Sequence, residues 1–381
     1  MRFLVLGGGL QGSACAYDLL KQPDVQHVTI ADFSPNAGAP FLPDDPRLRH
    51  ATVDFSDSAA VAALMAEHDV VLSAAPYYFN GTMARLAIEN GCDYSDLGGN
   101  TEIVFEQLEL DAAAKEAGVS VIPDVGLAPG LVNILAAEGI RRLDHVDSAK
   151  MYVGGLPQNP VPPLNYQVVY SLEGALDYYT TPSAIIRDGK RAPIDSLSEI
   201  ETLEFDDLGT LEAFHTGGGS STLPWRYEGK VDRLEYKTLR YPGHAEIMRS
   251  VREMGLLSDE PVDVKGQSVV PRDAFIAAVT PLLTRPNEPD LVALRVEVSG
   301  QKNGSQVTHT WDLLDREDEE TGITAMERTT GFTLAVVGLL MGRDVIAETG
   351  VMPPDTAVPA EPYLAEMAAR GVVAEYEQET G

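Results

Sequence analysis

Gly7-Gly8-Gly9-Leu10-Gln11-Gly12 follows directly on the apolar run Phe3-Leu4-Val5-Leu6 and contains the spacing G-x-G-x-x-G. In a strand-to-helix turn, Gly7 would allow the tight bend. Gly9 would let a phosphate approach the backbone, and Gly12 would let the helix pack closely on the strand. A helix opening at Leu10 and Gln11 would aim its unpaired N–H groups and positive dipole end at that phosphate. Asp32 ends a second run, Val28-Thr29-Ile30-Ala31, 20 residues after Gly12. There a carboxylate accepts hydrogen bonds from ribose hydroxyls. Phe33-Ser34 bring no arginine to neutralise a further phosphate on that ribose. The chemistry expected is therefore dinucleotide binding, with NAD favoured over NADP.

The elements that must position these groups are legible in the apolar pattern. Short runs suited to strands buried on both faces alternate with segments of helical spacing. Strands are expected at 2–6, 28–31, 51–53, 69–74, 93–95 and 119–122, and helices at 10–21, 58–67 and 101–117. A further helix runs from Asn80, read as its cap, to Asn90. This rhythm defines an α/β, doubly wound Rossmann domain. Ligands lie across the carboxyl ends of such strands. Ser73, Ala74, Ala75 and Pro76, then Gly98, then Asp124 and Gly126, are accordingly further cofactor-binding candidates. Asp54 either reaches the adenine amine or caps a helix, and Tyr77 and Tyr78 line the nicotinamide pocket or fill core.

Residues 1–125 make up the NAD-binding domain on this reading. Residues 126–323 form a second, α+β domain for substrate, catalysis and dimerisation. Its clearest element is a hairpin, 291–299 and 306–313, turning at Asn303-Gly304 with Val292, Leu294, Val296 and Val298 on one face. An apolar helix at 324–341 is expected to pack back, with the tail to residue 381, on the first domain. The acidic run 315–320 is expected to be a solvated loop.

The 58 acidic residues against 28 basic ones give a formal net charge of -30. Nucleic acid and anionic membrane surfaces, which need basic patches, are not expected partners. The acid excess suits solubility or the acidic proteome of a saline cytoplasm. Cys15 and Cys92 belong to no CxxC or Cys/His cluster, so neither a disulfide framework nor a metal centre is expected. The apolar run before the glycines is too short for a signal segment, and no stretch approaches the ~20 residues that span a bilayer. A cytoplasmic chain acting on a small molecule is the expectation.

The densest chemistry in the second domain is Lys237-Thr238-Leu239-Arg240-Tyr241-Pro242-Gly243-His244. Lys237 and Arg240 are fixed cations, Tyr241 adds a phenol and His244 an imidazole. Arg240 suits a bidentate grip on a substrate carboxylate, though taken alone it equally fits a surface ion pair. A nicotinamide site implies hydride transfer, and an ammonium cannot release hydride, so a base is needed. His244, His215, Asp96 and Glu173 are all candidates.

With these residues quoted, the chain resembles the saccharopine dehydrogenase-like family. The likeness is carried by Gly7–Gly12 with Asp32, Ala128-Pro129-Gly130, Tyr152-Val153-Gly154-Gly155, Ser171-Leu172-Glu173-Gly174, Glu212-Ala213-Phe214-His215-Thr216 and the 237–244 block. It is nearest to the L-lysine 6-dehydrogenase branch. Where saccharopine reductases tend to read Leu-Asp-Pro-Gly, this chain has Ala128 before Pro129, and the missing acid favours a simpler amine. The resemblance implies NAD-dependent oxidative deamination of the ε-amine of L-lysine, to ammonia and 2-aminoadipate 6-semialdehyde, by a homodimer or higher homo-oligomer. Saccharopine or carboxynorspermidine dehydrogenase is the alternative enzyme, and a non-catalytic NAD-binding regulator the alternative of another class.

Overall fold

The computed structural model describes residues 1–168, 172–285 and 288–381. Among these, seven strands form the first sheet, in the order Gly350–Val351, Ser120–Ile122, Asp93–Asp96, Val70–Ser73, Arg2–Leu6, His27–Asp32 and Leu48–Thr52. All its pairings are parallel. Chain order reverses at Arg2–Leu6, and that switch point opens a crevice at the carboxyl ends. Strand alternation sends Phe3 and Val5 to one face, against the helices Leu10–Leu20 and Ala325–Gly342. Leu4 and Leu6 go to the other, against Ser58–Met65 and Asn80–Glu89.

The local differences from the sequence reading have physical causes. The third strand begins at Leu48 because it lies on the sheet edge, where Arg49 and His50 face solvent and leave no apolar signature. The helix expected at 101–117 is two, Thr101–Leu108 and Asp111–Ala117, and the break turns both Leu108 and Leu110 onto the core. Asn80 is not a cap. It is the first helical residue, and its side chain turns inward to accept from Ser73 Oγ at 3.0 Å.

The second sheet is mixed and has nine strands among the described residues, with Val231–Arg240 and His145–Pro157 paired in parallel at its centre. Asp290–Lys302 and Ser305–Arg316 form the expected hairpin, longer at both ends, with Asn303 and Gly304 at positive φ. Val292, Leu294, Val296 and Val298 share one apolar core with the helices Leu131–Arg142 and Ala325–Gly342 and with the first sheet. Asp315 is not part of a solvated loop. It closes the strand, buried, and pairs with Arg328 at 2.9 Å.

Helix Ala325–Gly342 joins the two sheets through close approach. A Cβ on Gly331 would stand 2.7 Å from the Gln11 carbonyl oxygen, and one on Gly338 2.7 Å from Leu72. Its first turn is held by a reciprocal Thr324–Glu327 cap and by the buried Asp290 carboxylate. That carboxylate accepts from the N–H groups of Ala325 at 2.6 Å and Met326 at 3.0 Å. Asp290→Ala should cost roughly 1–3 kcal/mol, the penalty for leaving buried donors unpaired. A denaturant midpoint unchanged from wild type would remove this cap from the account.

Candidate active site

The glycine turn is built as its spacing requires. Gly7 has φ +96°, and a Cβ there would meet the Ala74 carbonyl oxygen at 2.7 Å. A Cβ on Gly12 would overlap the Gly7 carbonyl oxygen, whereas one on Gly9 would meet nothing. That open space lies at the N-terminus of helix Leu10–Leu20, where a diphosphate fits. Asp32 accepts from Gly8 N–H and Ser34 N–H, both at 2.8 Å, so its carboxylate is fixed at the strand end where a ribose would lie. Leu10 and Phe33 are exposed on either side. These residues fit a dinucleotide.

Beyond the turn, a cavity of about 220 Å³ lies between the two sheets. Gln11, Gly98, Gly99 and Gly126 to Pro129 form the wall on the first sheet's side. Tyr178, Tyr236, Thr238 and Arg240 form the opposite wall, and Met326 and Thr330 of the long helix complete it. The strand Val231–Arg240 alternates, so Tyr236, Thr238 and Arg240 share the face that looks into the cavity. Arg240 is buried. Its guanidinium lies 4.8 Å from the ring centre of Tyr166 and donates to the Leu239 carbonyl at 2.8 Å.

Behind the Gly98–Gly99 wall lies Asp124, a buried residue at φ +61°. Its carboxylate accepts from Gly99 N–H at 3.2 Å and from the Ser221 hydroxyl. Burial pushes its pKa up to about 7, with the neighbouring Asp96 adding to the rise. Asp96 is itself raised by burial to about 6, and its carboxylate takes the Gln107 amide at 2.6 Å and Asp124 N–H at 3.2 Å. Of the four base candidates, Asp96 alone borders this region, one residue before the cavity-lining Leu97.

The other candidates are corrected by the fold. Lys237 and Tyr241 lie on the opposite face of their strand. Lys237 Nζ is taken by Glu201 at 2.6 Å and the Glu199 carbonyl at 2.8 Å, and Tyr241 donates to the Pro157 carbonyl. His215 pairs with Lys237 across the ladder and shares that outer face. Burial and Lys237 lower its pKa. His244 is sealed behind Arg240, with one ring nitrogen 2.9 Å from Tyr179 Oη and the other 3.0 Å from the Leu164 carbonyl oxygen. Burial and the Arg240 charge push it down to about 3, so it is neither free nor basic enough to take a proton. Glu173 is exposed on helix Leu172–Thr180, and Ser171 of its motif lies outside the described residues.

Among the cofactor candidates, Gly7, Gly9, Leu10, Gln11, Gly12, Asp32, Ala74, Ala75, Pro76, Gly98 and Gly126 lie along the crevice. Ser73 is turned inward onto Asn80, and Asp124 is behind the wall rather than on it. Asp54 is committed to Ser56 N–H at 2.8 Å and Ser56 Oγ at 2.7 Å, while Asp57 caps the following helix. Sequence reasoning missed Tyr178 and Tyr236. The signal was Gly217-Gly218-Gly219: a Cβ on Gly218 would strike the Tyr178 ring at 2.7 Å, and one on Gly219 would overlap the Tyr236 ring.

The doubly wound sheet, glycine turn and interdomain cavity define a pyridine-nucleotide-binding domain joined to a substrate-binding sheet. Residues 3–122 match the family model "Saccharopine dehydrogenase NADP binding domain", and 126–372 match "Saccharopine dehydrogenase C-terminal domain". The chain belongs to the saccharopine dehydrogenase family. Curated relatives named saccharopine dehydrogenase [NADP(+), L-glutamate-forming] include one from Pyricularia oryzae, 29% identical over 56% of this chain and 49% of its own length. Another, from Schizosaccharomyces pombe, is 25% identical over 67% of this chain and 58% of its length. The matches thus span about half the length of those relatives. In fold, the chain is similar to apo saccharopine dehydrogenase (L-Glu forming) from Saccharomyces cerevisiae, with TM-score 0.83, 20% identity and 99% of both chains covered. It is also similar to a homospermidine synthase from Legionella pneumophila solved with NAD, with TM-score 0.72, 11% identity, and 99% of this chain and 91% of that one covered.

The raised carboxyl of Asp124 gives a signed expectation. Its contribution to stability is complete below the ordinary carboxyl value of 3.8 and is lost as pH rises through about 7. Thermal midpoints of wild type should therefore fall more steeply across that window than those of Asp124→Asn. Parallel pH profiles would contradict the assignment.

Proposed function

We propose that this chain is an NAD-dependent dehydrogenase that oxidises a carbon–nitrogen bond of a small amino acid. Its substrate is the ε-amine of L-lysine. The products are 2-aminoadipate 6-semialdehyde, which cyclises, and ammonia; one water is consumed and one proton released. The observation that carries this reading is Arg240, a buried guanidinium on the cavity wall facing the helix that opens at the glycine turn. Arg240 would hold the substrate carboxylate, with Tyr236 and Thr238 beside it. When bound, the nicotinamide supplies the hydride acceptor. Ala128, on the opposite wall, leaves that side apolar, which favours the neutral amine needed before hydride can leave. The Asp124–Asp96 pair, raised toward neutrality, is the proton reservoir behind the wall.

NAD preference rests on Asp32, whose fixed carboxylate would repel a ribose phosphate. Arg47, the arginine next after it in sequence, is spent on Asp45 at 2.8 Å and on the carbonyls of Leu20, Gln22 and Val25. The names of the curated relatives favour a second reading, in which a saccharopine-type secondary amine is the substrate and NADP the cofactor.

Purified protein with NAD and L-lysine should accumulate NADH and free ammonia. Turnover of saccharopine, with none of lysine, would replace the first reading by the second. Arg240→Ala should raise the amino-acid KM by roughly 10- to 100-fold, the worth of a charged hydrogen bond, while the Kd for NAD stays unchanged. Asp32→Ser should shift kcat/KM toward NADP by about tenfold or more. A wild-type preference for NADP would sink the cofactor assignment outright.

A further inference from the structure

The outer face of the second sheet, away from the cavity, carries a cluster that the proposed reaction does not use. Glu199, His215 and Glu235 come from a loop and two neighbouring strands. Each offers one ligand atom, and these atoms lie within 4.8 Å of one another. His215 is fully buried. Its Nδ1 lies 3.3 Å from the Tyr236 carbonyl oxygen, and its Nε2 lies 3.4 Å from Glu199 Oε2. A neutral imidazole has one N–H for these two acceptors, so one acceptor is left facing a lone pair. Glu235 is buried, at 1% exposure, and its Oε2 takes Arg233 at 3.0 Å. Its Oε1 has no hydrogen-bond partner among the described residues. Such an orphaned carboxylate oxygen is costly.

A single cation would resolve both defects. We propose that Glu199, His215 and Glu235 bind a divalent transition metal of the zinc class. The Nδ1–H of His215 would then donate to the Tyr236 carbonyl, as a metal-bound histidine ordinarily does with its second nitrogen. Two ligands ~2.0–2.1 Å from a tetrahedral zinc stand about 3.3 Å apart, which agrees with the 3.4 Å between His215 Nε2 and Glu199 Oε2. One nitrogen and two carboxylate oxygens suit zinc, cobalt or manganese better than calcium or magnesium. Glu199 is 40% exposed on its side chain, so water can fill the fourth position.

The competing cations are identifiable. Lys237 directs two of its three N–H donors to Glu201 and the Glu199 carbonyl, and Arg233 holds the other oxygen of Glu235. Arg187 grips Glu199 at 3.0 and 2.8 Å, but its side chain is 43% exposed and can leave into solvent when metal arrives. The metal would pin the loop bearing Glu199 to the strand whose inner face supplies Tyr236, Thr238 and Arg240. Its role is positioning.

The test is calorimetric titration of ZnCl2 into the tag-free, chelator-treated full chain in a non-coordinating buffer. One equivalent should bind saturably, and Glu235→Gln and Glu199→Gln should each weaken binding at least about tenfold. Arg187→Ala should tighten it by removing the competitor. Asp232→Asn, in the exposed group His145, Asp147 and Asp232, should leave it unchanged. Circular dichroism without metal checks that each variant is folded, and the half-exposed Glu199 keeps the test decisive where a change at the buried Glu235 unfolds the chain. Absence of stoichiometric binding, binding that survives a folded Glu199→Gln, or binding lost in Asp232→Asn would each overturn the proposal.

Discussion

The Asp124 carboxylate ties the first sheet to the loop that roofs the cavity, and the rest of the site depends on that bridge. It accepts from Gly99 on one side and from Ser221 on the other. Nearby, Asn133 repeats the connection: its Oδ1 accepts from Gly130 N–H at 2.6 Å and its amide donates to the Ser220 carbonyl at 3.1 Å. These contacts hold the loop 217–222 over the carboxyl ends of the parallel strands. The glycines there then let Tyr178 and Tyr236 close in. Burying a carboxylate to make this bridge raises its pKa, so the group that locks the two sheets together is also one that exchanges a proton near neutrality. Architecture and acid–base capacity come from the same desolvation.

The second organising fact is the period of two along Val231–Arg240. It splits one dense polar block into two unrelated surfaces. Tyr236, Thr238 and Arg240 look into the cavity, while Glu235, Lys237 and Tyr241 look outward. His244 begins the next helix, whose first N–H groups are held by Glu212, with bonds of 2.9 Å to Gly243 N–H and 2.6 Å to Ala245 N–H. From there it stacks on Phe214 and orders the wall behind Arg240. The histidine touches Tyr166, whose ring lies against the guanidinium, and does not line the cavity.

This distribution explains what the sequence could and could not reveal. Gly7, Gly9, Gly12 and Asp32 were legible because a strand, a turn and a helix are local, and the chemistry of the turn is set within a few residues. The hairpin and the long apolar helix were legible for the same reason. Asp124 as a bridge to Ser221, by contrast, depends on contact across 97 positions. The outward turn of Lys237 and His215 required knowing which face of the strand the cavity would occupy, and polar residues on both faces hide that phase. The Glu199, His215 and Glu235 cluster has no spacing to announce it, since its members come from three separate segments. Tyr178 and Tyr236 were foreshadowed only by three consecutive glycines, whose meaning appears once the rings are in place.

The central claim is that the cavity between the sheets moves a hydride between a carbon bearing nitrogen and the nicotinamide. L-Lysine deuterated at the ε-carbon, incubated with the protein and NAD, tests it directly by mass spectrometry of the reduced nucleotide. The account predicts that each turnover delivers one deuterium to the nicotinamide ring. Reduced nucleotide without deuterium, or none formed from either lysine or saccharopine, would contradict it.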